Sequence, residues 1–211
     1  MIDANLEKPV WEKAEGITGF QKLRRNQDVK FECPVFSTNV RCLWDDLYLY
    51  ICFDCESHDV WASKTKRDDE LWTEPVVEVF LDPLGKAKSF FEFQVNPLGT
   101  IYDSFVPDAD KSSEWQKWCK WKCEGLQIAV KCDGKLNDRS HRDNGWQVEM
   151  AIPFAALAAE TGVLPRSGVQ WRANFCRYEI PAELPKQELS TWAHVIRKFD
   201  DLKRFGYIKF V

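Results

Sequence analysis

The segment Phe90-Phe91-Glu92-Phe93-Gln94-Val95-Asn96 alternates strictly. Phe91, Phe93 and Val95 are apolar, whereas Glu92, Gln94 and Asn96 are polar. A period of two sends successive side chains to opposite faces, so this segment must be a strand with one face on a core. Its other face carries a carboxylate and two amides, groups that hydrogen-bond hydroxyls. The stretch from Lys66 to Pro83 has the same character: a charged, Trp-bearing loop runs into an apolar strand with Glu78 embedded in it.

The same signal recurs along the chain. Strands are expected at Thr38–Trp44, Tyr48–Cys55, Val76–Leu81, Ser89–Asn96, Thr100–Ser104, Lys120–Cys123, Leu126–Lys131, Gly145–Ile152, Val169–Tyr178, Thr191–His194 and Gly206–Val211. Turn chemistry separates them, with Asp82-Pro83-Leu-Gly85, Asn96-Pro-Leu-Gly99 and Asp133-Gly134 as examples. One helix is expected at Phe154–Thr161, opened by Pro153 and closed by Gly162. Many short strands joined by turns make an all-β, antiparallel β-sandwich of jelly-roll or immunoglobulin-like arrangement, with one or two short helices. The 211 residues show no linker or low-complexity segment, so 1–211 reads as a single domain.

Composition narrows the function. Net charge is -4, with the signs mixed and no clustered basic face, so nucleic acid is not an expected partner. No apolar run reaches the ~18 residues of a membrane helix, so no membrane partner is expected either. The amino terminus lacks the basic and apolar regions of a signal peptide, which leaves a cytoplasmic setting open. Ten Trp cannot all be core, because the indole N–H wants a partner. Eight cysteines are expected mostly as free thiols. Cys52-Phe-Asp-Cys55 and Cys119-Lys-Trp-Lys-Cys123 have no His at zinc-ligand spacing. His58, His141 and His194 read as non-catalytic. Trp115 and Trp118 read as pinning a loop onto the sheet.

Five ordered pieces carry a family resemblance: Arg41–Ile51, Leu71–Pro83, Phe91–Thr100, Gly145–Phe154, and Ser190-Thr-Trp192 with Phe199–Gly206. The chain resembles carbohydrate-binding module family 9, the β-sandwich modules attached to xylanases. The resemblance implies non-catalytic binding of oligosaccharide or polysaccharide of the xylan or cellulose class, in a secreted or periplasmic protein. It implies a sugar held between two aromatics, matching Trp72 and Phe199, with polar contacts from Glu78, Gln94 and Asn96 and a rim bearing Arg67. The xylan-binding modules carry Trp where Phe199 stands and Arg where Gln94 stands. Structural calcium is the one cofactor the resemblance admits, although no Asp-rich loop here has a calcium pattern.

Each of these residues also has a plainer reading. Trp72 could cap the sandwich edge and Phe199 could pack against the last strand. Glu78 must face out of the core or be paired, with Arg67 or Arg177 as ion partners. Asn96 before Pro97 suits a turn, and Gln94 suits a solvated face. Two other functions stand beside sugar binding. A glycoside hydrolase of endo-xylanase type would use Glu78 and Glu92 as its carboxyl pair. A haem-binding sandwich would need an axial methionine such as Met150.

Overall fold

The computed structural model describes residues 1–181, 184 and 186–211. Among them eleven strands are formed. In chain order they are β1 (Gln21–Lys22), β2 (Thr38–Trp44), β3 (Tyr48–Glu56), β4 (Val76–Asp82), β5 (Phe90–Val95) and β6 (Ile101–Val106). They continue with β7 (Gln127–Asp133), β8 (Gly145–Pro153), β9 (Gln170–Glu179), β10 (Glu188–Thr191) and β11 (Gly206–Lys209). Two short helices accompany them, α1 (Trp115–Trp118) and α2 (Phe154–Thr161).

The strands make two antiparallel sheets, as expected of a sandwich. One runs β2-β3-β8-β7. The other runs β1-β10-β9-β4-β5-β6, with β11 also paired to β9. Inner faces meet through Ile51, Phe53, Val148 and Met150 on one side and Val79, Phe93 and Phe175 on the other, all fully buried. The register follows the alternation, with Val79 opposite both Phe93 and Phe175. Arg177 closes one end of this core. It donates to the carbonyls of Ser37, just before β2, and of Glu56 on β3 of the facing sheet, and pairs with buried Glu179.

The large sheet differs from an ordinary two-faced strand pattern, because every residue of β4 is buried. Its outer face is covered as well. Phe80, Phe90 and Val106 form a second apolar cluster with Val195, Phe199, Leu202 and Phe205 from the loop before β11. That cover ends beside Glu78, two residues from Phe80 on the same face.

Local chemistry sets the boundaries. Pro153 precedes α2, and Gly162 ends it in the left-handed region at φ 69°. Asp82 accepts from Gly85 N and Ala87 N, holding the β4–β5 turn. The residues expected to form a strand at Lys120–Cys123 do not, because α1 winds the preceding chain and Cys123 N is taken by the Asp103 carboxylate at 2.7 Å. The strand expected at Thr191–His194 is instead β10, Glu188–Thr191. Ala193 N leaves the sheet to donate to Asn174 Oδ1. The two-residue β1 was not expected; it has no alternation to reveal it.

Candidate functional site

Where the loop cover stops, the outer face of the large sheet opens into a cleft of ≈ 370 Å³. Its floor is sheet. Glu78 on β4 sits opposite Gln94 on β5 and Cys176 on β9, and Glu92 lies two residues along β5 from Gln94. Gln94 Nε2 donates to Glu92 Oε1 at 2.6 Å, while Gln94 Oε1 is buried without a partner. Glu78 is 2 % exposed, yet Arg67 pairs with Asp103 and Arg177 with Glu179, so neither candidate arginine reaches it. Burial, reinforced by the charges of Glu92 and Asp200, holds the Glu78 carboxyl well above the usual carboxylate range. Burial also pushes Glu92 up to about 7, against the opposing hydrogen bond from Gln94.

One wall is aromatic and comes from the loops. Trp72 stands on a single 3-10 turn (Leu71–Thr73) anchored by buried Leu71. Its ring meets Trp115 on α1 edge-on, with centroids 5.0 Å apart. Tyr102 on β6, itself paired with Gln94 across the strands, supports Trp72 from 6.0 Å. The other wall is Tyr178 on β9 and Phe199 in the loop before β11, packed edge-on at 5.2 Å. Phe199 is 5 % exposed, so most of its ring is spent on packing and one edge lines the cleft. Asn174 fixes that wall: it donates to the Phe199 carbonyl at 3.1 Å and accepts from Thr191 and Ala193.

Of the sequence candidates, Trp72, Phe199, Glu78 and Gln94 converge here. Arg67 and Asn96 lie outside the cleft. Arg67 is committed to Asp103 at 2.6 Å. Asn96 is fully buried and spends its amide on the β5–β6 turn, accepting from Leu98 N and Thr100 N and donating to the Lys64 carbonyl. The cleft also holds Trp115, Tyr102, Tyr178 and Asp200, which sequence reading did not assign to a site. The three-residue spacing of Trp115 and Trp118 points only to a structural role. Tyr102 and Tyr178 become neighbours of Glu78 only once strand pairing is known.

No group of three or more His, Cys, Asp or Glu side chains among the described residues could hold a metal ion. The Asp82 carboxylate is already used by its own turn, accepting from Gly85 N and Ala87 N. Among the described residues, then, no cluster of three carboxylates stands ready for calcium. All eight cysteines are free thiols. Met150 is fully buried between the sheets, so the haem reading has no methionine at a cleft.

A two-sheet sandwich with an aromatic-walled cleft floored by carboxyl and amide groups has the build of a small-ligand site. The chain belongs to the carbohydrate family 9 binding domain-like family, whose match spans residues 2–211. Non-catalytic carbohydrate binding is the function that this membership carries. Among curated proteins no sequence matches the chain. Among solved structures, it is similar to a carbohydrate binding module family 9 from Caldicellulosiruptor kristjanssonii in complex with cellotriose, at 14% identity and TM-score 0.64 over 100% of this chain and 88% of that one. A glucose complex of a family 9 module from the same organism aligns at 15% identity and TM-score 0.62, over 100% of this chain and 91% of that one. At such identity the likeness bears on the fold.

Proposed function

We propose that the cleft holds a short stretch of pyranose units from an oligosaccharide or polysaccharide of the cellulose or xylan class. Trp72 and Trp115 offer apolar surface to the C–H face of a sugar ring. Phe199 and Tyr178 bound the other side, and Glu78, Glu92 and Gln94 take the hydroxyls. Few polar groups converging in a largely aromatic concavity is the usual build of a small-ligand site. The observation that carries the reading is the unpartnered Gln94 Oε1 beside Glu78 and Glu92 on one floor. A buried acceptor left without a donor costs on the order of 1–3 kcal/mol, and a ligand hydroxyl relieves that cost. The cellotriose bound by the Caldicellulosiruptor module supports the cellulose class.

The carboxyls of Glu78 and Glu92 are neighbours on one floor, beneath where a ring would lie. A hydrolase needs its two carboxyls on either side of a bond, so we assign these residues to binding. Native electrophoresis through gels containing hydroxyethylcellulose or xylan tests the proposal. Migration slowed by at least one of the two polymers is expected. Unchanged migration in both would contradict it.

A further inference from the structure

We infer that the cleft selects a cationic sugar, a 2-amino-2-deoxy pyranose with a free ammonium group, because Glu78, Glu92 and the unpartnered Gln94 Oε1 form a floor of acceptors with no cation among them. The inference rests on the reading of this cleft as a carbohydrate site, and it puts the 2-amino analogue of the same β-1,4-linked chain ahead of the neutral cellulose or xylan unit.

The contrast with the rest of the molecule carries the argument. Other buried carboxylates have partners that stabilise the charged form. Glu149 takes Lys8 and the Trp11 indole, Glu179 takes Arg177, Asp103 takes Arg67, and Glu188 takes Lys22. Asp143 accepts from the backbone of Val60 and Lys135. Glu78 is as buried as these, and no described ion pair reaches it; Glu92 and Asp200 only add like charge. Gln94 Nε2 is spent on Glu92, and Tyr102 and Tyr178, which also line the cleft, bring no positive charge. Two cations line the cleft, but both are exposed rim residues. Lys198 Nζ faces Asp200 at 3.2 Å, and Arg197 Nε donates to the Arg25 carbonyl.

A buried carboxylate without a counter-ion is strongly unfavourable, and a ligand that brings the counter-ion removes that cost. An ammonium supplies three donors and a full charge, whereas a hydroxyl supplies one donor and none. Burial already holds Glu92 up to about 7. Near neutral pH an arriving cation therefore favours its ionised form and releases a proton. The titratable and charged groups around Glu92 are Glu78 on β4, Tyr102 on β6, Cys176 and Tyr178 on β9, and Asp200 with Lys198 in the loop before β11. N-acetylation of the sugar abolishes the charge and should abolish the preference.

Three disaccharides with the same β-1,4 linkage differ only at C2: cellobiose, chitobiose with free amines, and N,N′-diacetylchitobiose. Calorimetric titration of the wild-type protein with each at pH 6–7 is the test. Chitobiose is expected to bind about tenfold or more tighter than cellobiose, the scale of one charge-assisted contact. Its heat should depend on the buffer's ionisation enthalpy, as proton release requires, while the heat of cellobiose should not. In Glu78→Gln/Glu92→Gln the ratio of the two affinities should fall towards one. Cellobiose binding as tightly as chitobiose would overturn the inference and leave carbohydrate binding standing. Binding of none of the three would overturn both.

Discussion

Gln94 donates its side-chain amide to Glu92 at 2.6 Å, and its own carbonyl oxygen is left buried without a partner. The pair thus restrains one carboxyl and offers one vacant acceptor in the same short stretch of β5. Replacing Gln94 with Ala removes a hydrogen bond that favours ionised Glu92. The Glu92 carboxyl should then titrate above its present value of about 7. Carboxyl-carbon NMR across a pH series measures this, and a downward move would contradict the assignment.

Stability of the unliganded protein should fall as pH rises from about 5 to about 8. Glu78 and Glu92 have folded-state pKa values above their unfolded ones. Between the two values the folded chain binds more protons than the unfolded chain, so raising pH disfavours folding. The contribution from Glu92 is on the order of 1–3 kcal/mol. Thermal melts across this range should show a declining Tm, with a shallower decline in Glu92→Gln. A Tm that climbs over the same range in the wild type, with the same slope in the variant, would refute it.

Asn174 should matter to the cleft without touching a ligand. It ties the Phe199 carbonyl, Thr191 and Ala193 to β9 from a fully buried position. Asn174→Ala strands several buried groups, at a cost of about 2–3 kcal/mol. Faster hydrogen exchange should appear in the loop at 193–199, together with weaker sugar binding. Unaltered exchange there would mean that the loop is held by its apolar contacts alone.

The thiols should all be reactive once the chain is opened. Eight free cysteines, four of them buried, predict eight titratable thiols in denatured protein that has never been reduced. Burial raises Cys55 and Cys123 to about 12, so both should react slowly in the native state. Fewer than eight in the denatured titration would reveal a disulfide.

Much of the sandwich was legible because strand alternation is a local property. Thr38–Trp44 and Phe154–Thr161 form over the residues expected of them. Lys120–Cys123 misled because alternating charged and apolar residues also suit a turn, and the deciding contact, Cys123 with Asp103, is long-range. The floor of the cleft was legible as Glu78 and Gln94, since polar groups within apolar strands stand out. Asn96 stood out equally, yet its own turn consumes it. Trp115 and Tyr178 could not be found in advance, because only the pairing of β9 with β4 and the placement of α1 bring them to Glu78.

Calorimetric titration of wild type and Trp72→Ala with cellotriose tests most directly whether this cleft is the sugar site. A stack on an indole contributes on the order of 1 kcal/mol, about fivefold in affinity. The expected result is measurable binding by wild type and at least that loss in Trp72→Ala, with the melting profile preserved. Equal affinity in the two proteins would move the site away from Trp72 and contradict the assignment of this cleft.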